Sequence, residues 1–340
     1  MAKDEVAKAA TSVSYVLAFG YARKAGRIMR TIMVFIDGWG LGVEDPETNP
    51  YVSARTPAWD ALVGGHHLYR DRGTIITDRA LMLPIDASLG VPGIPQSATG
   101  QCTLWTGVNA SRYIGRHLRG FPDHSLRQLL ATESIFQKLL RLGKRPTYAN
   151  AFRPFVVEAP NLEEFPISAS TYMTLSAKLP MRTLKDLLAG QAVFQDITNQ
   201  FLVEQKYDVP IYTPEQSGTN LAALARDYDF TLFEFFQTDV AAHAQDLSRA
   251  RELLERLDAF CGALIAHTDL AETLIIITSD HGNIEDLSVK DHTLNPVPLL
   301  AVGRDHLTAR GRVQSLVEVT PWIIERLVET KGESVAYGSS

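Results

Sequence analysis

Four short apolar runs in this chain each have a carboxylate or an imidazole at one end, and that pattern limits what the chain can fold into. "TIMVFIDGWG" (31–40) is apolar and β-branched until Asp37. "DFTLFEFFQTD" (229–239) stops at Asp239, with His243 four residues later. "TLIIITSDHG" (273–282) stops at Asp280 and His281, and "VPLLAVG" (297–303) is preceded by His292. Runs this short and this rich in Val, Ile, Leu and Phe read as strands buried on both faces. Amphipathic helices lie between them. In 247–267, Leu247, Ala250, Leu253, Leu254, Leu257 and Phe260 recur on one helical face. A second helix at 133–144 leads into a short strand at 146–152. Strands alternating with helices predict an α/β fold, a three-layer sandwich around a mostly parallel central sheet. Such sheets gather their functional residues at the carboxyl ends of the strands.

Composition narrows the class. The 340 residues are 45% hydrophobic and 21% charged, ordinary for a globular protein. Net charge is −6 with no basic block, which argues against a nucleic-acid partner. Two cysteines, Cys102 and Cys261, make no disulfide framework and no CxxC pair, so they read as buried thiols in a reducing compartment. No apolar run approaches the ~18–20 residues of a membrane span. Residues 1–28 form an N-terminal extension whose apolar run, Val13 to Ala22, is short. Asp4 and Glu5 sit where an export signal wants positive charge, and no A-x-A site follows. The expected location is cytoplasmic, with export as the alternative. An ordered helix, or an over-called start ahead of Met29, would also account for the extension. Residues 153–218 are loop-rich and read as a small cap or insertion. It would split the core into 29–152 and 219–330, ahead of a tail at 331–340. No repeat or low-complexity tract is present.

Taken singly, each polar strand end has an ordinary explanation: Asp-Gly makes turns, and Asp-His caps helices or forms ion pairs. Taken together, Asp37, Asp239, His243, Asp280, His281 and His292 are a mixed oxygen and nitrogen set. Such a set suits zinc, manganese or iron rather than calcium. The i, i+4 spacing in "DVAAH" puts Asp239 and His243 on one side of a helical turn. Adjacent Asp280 and His281 can share an ion only where the backbone turns, and Gly282 is expected to permit that turn. Two ions ~4 Å apart would clamp a phosphoryl group in an in-line displacement, and a coordinated hydroxyl would become a nucleophile. Ser97 and Thr99, in "QSATGQCTLWTG" (96–107), are the hydroxyls at hand, at an expected helix N-terminus that itself favours an anion. Arg112, Arg116, His117 and Arg119 follow in "NASRYIGRHLRGF". They read either as phosphate contacts or as a solvated face.

In order, "IDGWG", "DVAAH", "SDHGNIE" and "HTLNPVP" resemble the metal-binding motifs of the alkaline phosphatase superfamily. They are most similar to its phosphomutase branch, cofactor-independent phosphoglycerate mutase and phosphopentomutase. The resemblance covers about 30–125 and 220–305. It implies two divalent ions, one held by Asp37, Ser97, Asp280 and His281, the other by Asp239, His243 and His292. The nucleophile pattern is Ser-x-x-Gly-His in the phosphoglycerate mutases and Thr-x-Thr-Gly-His in the phosphopentomutases. Against both, "SATGQ" puts Ser97 at the nucleophile and Thr99 at a supporting position. Gln101 stands where the family has histidine. Asn109 would donate to a phosphate oxygen, as asparagines do in related enzymes. The mutases' substrate-binding residues do not map onto 153–218, whose only arginines are Arg153 and Arg182. The resemblance therefore implies phosphoryl transfer on a small phosphorylated substrate. A phosphomonoester hydrolase with a phosphoserine intermediate is expected first and a phosphomutase second. A phosphodiesterase, a sulfatase (against which the missing Cys/Ser-x-Pro-x-Arg signature argues) and a non-catalytic scaffold come after. Oligomeric state is not legible.

Overall fold

The computed structural model describes residues 29–328 apart from 160, 162 and 163. The expectations for 1–28 and for the 331–340 tail lie outside the described residues. Among those described, seven strands form one sheet: β1 (Arg30–Ile36), β2 (Ile75–Ile76), β3 (Ala80–Ile85), β4 (Pro146–Tyr148), β5 (Phe230–Phe235), β6 (Thr273–Thr278) and β7 (Val297–Gly303). Their order across the sheet is β2-β3-β7-β6-β1-β5-β4. β1 sits centrally and pairs in parallel with both β5 and β6, with Thr31 opposite Phe230 and Leu274. β4 extends this parallel half beyond β5.

Period-2 alternation sends β1 side chains into two different cores. Ile32, Val34 and Ile36 face a layer with Leu221 and Leu224 of helix Pro214–Ala225 and Leu253, Leu254, Leu257 and Phe260 of helix Leu247–Ala266. Met33 and Phe35 face the other layer. There Leu104 and Trp105 of helix Ser97–Thr106 meet Leu126, Phe136 and Ile323. Each such fully buried large side chain contributes about 1.5–3 kcal/mol. The result is the expected three-layer α/β sandwich, mostly parallel in its core. The helix at 247–267 has the expected apolar face: Ala250, Leu253, Leu254, Leu257 and Phe260 are buried, and Leu247 packs at the edge. The helix expected at 133–144 starts at Ile135, because the Ser134 hydroxyl accepts from Gln137 N and caps it.

One strand direction differs from a simple parallel reading. β7 runs antiparallel to both β6 and β3. Its amino end therefore lies at the sheet edge where β1, β5 and β6 have their carboxyl ends. This explains how His292, which precedes its strand, reaches the same edge as residues that follow theirs.

Residues 153–218 lie beside β4. Asn150 and Ala151 bridge to Val193 and Arg182. Ala169 and Met173 of helix Ala169–Ser176 enter the same core layer as the Ser97 helix. Phe194, Leu187 and Leu202 close a small core of their own. Buried Glu234 of β5 ties this region to the sheet by accepting from the Tyr148 and Ser170 hydroxyls. No described helix is long and apolar enough to cross a membrane. Both cysteines are free and buried, as expected.

Candidate metal centre

Three parallel strands and the reversed β7 deliver the polar residues to one edge. The β1 ladder runs one residue past the strand, with Asp37 N donating to Phe235 O at 2.9 Å. The Thr238 hydroxyl then donates to Asp37 O at 2.6 Å. Helix Gln237–His243 follows β5 directly and presents Asp239 and His243 one turn apart. After β6, Ser279 Oγ accepts from Trp39 N at 2.8 Å and donates to His281 O at 3.0 Å, locking the β1 and β6 loops together.

The side chains converge in two overlapping groups. Asp239, His243 and His292 bring ligand atoms within 4.8 Å of one another, and so do Asp37, Asp239 and His281. His243 Nε2 lies 3.3 Å from Asp239 Oδ2, and His292 Nε2 lies 3.5 Å from Asp239 Oδ1. His281 Nε2 faces Asp37 Oδ1 at 3.2 Å, Asp280 Oδ2 at 3.5 Å and Ser97 Oγ at 3.0 Å. Asp239 thus belongs to both groups, where the sequence resemblance gave it to one ion only.

Hydrogen bonding fixes which nitrogens are open to a cation. His292 Nδ1 contacts Pro95 O at 2.8 Å, and His243 Nδ1 contacts Lys290 O at 3.0 Å. A carbonyl oxygen only accepts, so each Nδ1 carries the proton and each Nε2 presents a lone pair. The two Nε2 atoms are 3.2 Å apart. Two lone pairs held that close repel unless a cation lies between them and their carboxylate. Both Asp280 oxygens and Asp37 Oδ1 are buried without a hydrogen bond. Burial lifts the Asp280 carboxyl well above its ordinary range, and neighbouring Asp37 adds to the rise. Burial likewise raises Asp37, with His281 partly offsetting it. For His281, burial acts downward, but Asp280, with Asp37 and Asp239, outweighs it and lifts the imidazole to about 10. Burial and then the His281 charge push His292 down to about 4. Three carboxylates packed at a buried edge cannot all ionise without compensating positive charge. These residues fit divalent metal ions.

Helix Ser97–Thr106 points its first turn at this edge. The approach depends on Gly100: a Cβ there would lie 2.8 Å from Asp280 O and 3.0 Å from Asp280 Cβ. Gly282 acts differently from the expectation. Its φ is not in the left-handed region, so no unusual turn is required of it. A Cβ there would instead strike Glu285 Oε1 at 2.2 Å and Thr293 Oγ1 at 2.3 Å, so what the position needs is room. Gln101, buried one turn after Ser97, donates from Nε2 to Asp37 Oδ2 at 3.2 Å. The residue that departs from the family pattern is therefore a carboxylate-orienting donor.

The structure does not bring Asn109, Arg112, Arg116 and His117 together at this edge. Asn109 caps its helix by accepting from Arg112 N and donates to Leu89 O. His117 is engaged by Ser111 Oγ at 3.1 Å and Val91 O at 3.1 Å. Arg116 faces Asp123 at 3.8 Å, and the Arg112 guanidinium lies over Gly90. Asn109, His117 and Arg116 are engaged in these local contacts. Two further site residues were not singled out in the sequence. Asn283 Nδ2 donates to Asp239 Oδ1 at 2.6 Å. Glu285 accepts from Gly40 N at 3.0 Å, Asn283 N at 2.7 Å, Asn295 Nδ2 at 3.1 Å and the Thr293 hydroxyl. That carboxylate bolts the loops after β1 and β6 to the segment before β7. Their place in "SDHGNIE", flanking Ile284 just after Asp280 and His281, was the available signal.

Comparison with known proteins agrees with this geometry. The Metalloenzyme superfamily matches residues 29–328. The chain is 39% identical over 121 residues to the 2,3-bisphosphoglycerate-independent phosphoglycerate mutase of Pyrococcus abyssi, which takes in 31% of this chain and 29% of that protein. It is 30% identical over 135 residues to the enzyme of the same name from Dinoroseobacter shibae, 36% of this chain and 26% of that protein. The matches thus span less than a third of these curated relatives. In fold, the chain is similar to the solved PH0037 protein from Pyrococcus horikoshii, with a TM-score of 0.56 at 16% identity over 90% of this chain and 98% of that one. The superfamily match runs the length of the described residues and takes in all six strand-end candidates, and the chain therefore belongs to the metalloenzyme superfamily.

Proposed function

We propose that this chain is a two-metal phosphomonoester hydrolase that acts through a phosphoserine at Ser97. The observation that carries the reading is the Ser97 hydroxyl, 3.0 Å from His281 Nε2 at the mouth of a buried carboxylate and imidazole edge. Thr99 is the weaker nucleophile, because its hydroxyl donates to Gln96 O at 3.1 Å and accepts from Leu118 N at 3.2 Å. Asp37, Ser97, Asp280 and His281 would hold one ion and Asp239, His243 and His292 the other, with Asp239 reaching both. The donor set favours zinc, manganese or iron. When bound, the ions supply positive charge that favours the Ser97 alkoxide and neutralises the phosphoryl oxygens. Ser97 gives its hydroxyl proton to water, its Oγ forms the new bond to phosphorus as the ester oxygen leaves, and the leaving oxygen takes a proton from water. Water then attacks the phosphoserine, releases phosphate and returns the hydroxyl. Gln101 and Asn283 hold the Asp37 and Asp239 carboxylates in orientation, and the amides of the first helical turn favour the anionic group.

Ser97→Ala is expected to abolish metal-dependent phosphorylation of the protein, read by mass spectrometry. It should also lower phosphate release on the order of a thousandfold or more. Unchanged phosphorylation and turnover in that variant would overturn the assignment.

The mutases among its relatives favour a second reading, a phosphomutase on a small phosphorylated substrate. A mutase must shield its phosphorylated state from water. No described residue of 153–218 lines the cavity that opens beside His243, which favours the hydrolase. In this reading 29–152 and 219–330 carry the centre and 153–218 is accessory. Incubation with 3-phosphoglycerate or ribose 5-phosphate under manganese separates the two: free phosphate supports the hydrolase, and an isomeric phosphoester supports the mutase.

A further inference from the structure

We propose that Glu285 is a positioning residue whose two oxygens serve the two ion positions separately. Its Oε2 secures the loops that carry Asp37 and His281, and its Oε1 secures the segment that carries His292. The inference rests on the two-metal reading of the same edge. Glu285 is 1% exposed and sits between three ligand-bearing segments. Oε2 accepts from Gly40 N at 3.0 Å, three residues after Asp37, and from Asn283 N at 2.7 Å, two residues after His281. Oε1 accepts from the hydroxyl of Thr293, the chain neighbour of His292, and from Asn295 Nδ2 at 3.1 Å. Glycine leaves room for this approach: a Cβ at Gly40 would lie 2.3 Å from Glu285 Cδ.

The donors on the two oxygens differ in kind. Both donors to Oε2 are main-chain N–H groups, which only donate. Both donors to Oε1 are side chains that have further partners. Thr293 Oγ1 also accepts from Asn295 N at 3.2 Å, and Asn295 Oδ1 accepts from Arg70 Nη1 at 3.1 Å. A carboxamide at position 285 must therefore keep its oxygen toward Gly40 and Asn283 and turn its amino group toward Thr293 and Asn295. There it meets the Asn295 amide donor against donor, and the Thr293 proton loses its acceptor. The Asn295 amide cannot flip without giving up Arg70. Thr293 N still donates to Gly282 O at 3.0 Å, and His292 Nδ1 to Pro95 O at 2.8 Å. The segment thus keeps its place and loses its stiffness. Glu285→Gln is a selective cut that loosens the His292 side and spares the Asp37 side.

The test uses the full-length protein and two readouts other than turnover. Equilibrium dialysis at stepped free zinc reads the two ions, and hydrogen–deuterium exchange of the zinc-free protein reads the segments. In Glu285→Gln the weaker zinc is expected to bind about tenfold to a hundredfold less tightly than in wild type, with the tighter one unchanged. Exchange should quicken in 290–295 and not in 37–42. Thr293→Val, which removes an Oε1 donor from the opposite end, should weaken the same ion alone. Adding Asn295→Asp to Glu285→Gln offers the new amino group an acceptor and keeps one for Arg70, and should restore both readouts. A general loosening of the fold would weaken both ions together and would not be reversed by Asn295→Asp. Equal weakening of both ions, unchanged binding, or no recovery in the double variant overturns the inference. A wild type that binds no zinc, with the exchange pattern as expected, overturns the two-metal reading and keeps the separate roles of the Glu285 oxygens. A wild type that binds two zinc ions, with Glu285→Gln matching it in both readouts, does the reverse.

Discussion

Asp239 faces two ways. Its Oδ2 lies against His243, its Oδ1 against His292, and the same side chain falls within the group formed with Asp37 and His281. A carboxylate shared in this manner couples the two ion positions. After dialysis against limiting zinc, wild type is expected to retain about two equivalents by elemental analysis, in keeping with a two-metal site. His243→Ala should keep the ion at the Asp37 side, whereas Asp239→Asn should fall to less than His243→Ala retains. Equal retention by the two variants would mean that Asp239 serves a single ion. The six strand-end candidates were legible in the sequence only as a set, because each alone has an ordinary explanation while all of them at one sheet edge do not. Gln101 was legible only as a departure, since a carboxamide that orients Asp37 has no spacing rule of its own. Glu285 was not legible in its present role. It spends its oxygens on main-chain and side-chain donors from distant loops, a relation that leaves no periodic trace.

At the level of elements, the centre depends on how closely the Ser97 helix approaches the loop after β6. Gly100 makes the contact, and the surface it meets includes a backbone carbonyl, which cannot move aside as a side-chain tip can. Gly100→Ala is expected to cost about 1–3 kcal/mol, read from the denaturation midpoint. It should also slow phosphorylation of Ser97 by displacing its hydroxyl from His281. Wild-type stability together with wild-type labelling would show that the helix is not pressed against Asp280. β1, β5, β6 and β7 were readable because each is buried on both faces and rich in branched or aromatic side chains. β3, "ALMLPI", was missed: it has a single β-branched residue and an internal proline, which argue against a strand. The direction of β7 was equally hidden, because residue pattern reports burial and not polarity of the chain. Only pairing with β6 and β3 reveals that His292 enters from the strand's amino end.

For the whole molecule, Glu234 links folding to pH. Burial raises its carboxyl from an ordinary 4.5 to about 7, the Ser170 and Tyr148 donors offset part of that, and the Asp37 charge adds to it. Between these two values the unfolded chain has released its proton while the folded one holds it, so stability falls as pH rises through the interval. The gap corresponds to about 3 kcal/mol. Denaturant midpoints of wild type and Glu234→Gln in metal-replete buffer should therefore diverge in favour of the variant from pH 4.5 to 7.5. A constant difference would show that Glu234 does not titrate there. The central place of β1 has a consequence of another kind. It is the first strand in chain order among the described residues, yet its partners on both sides begin only at Phe230 and Thr273. The long segment between must be synthesised before either edge of "RTIMVFI" can pair with them. During that interval an apolar strand with two open edges needs shelter from other nascent chains.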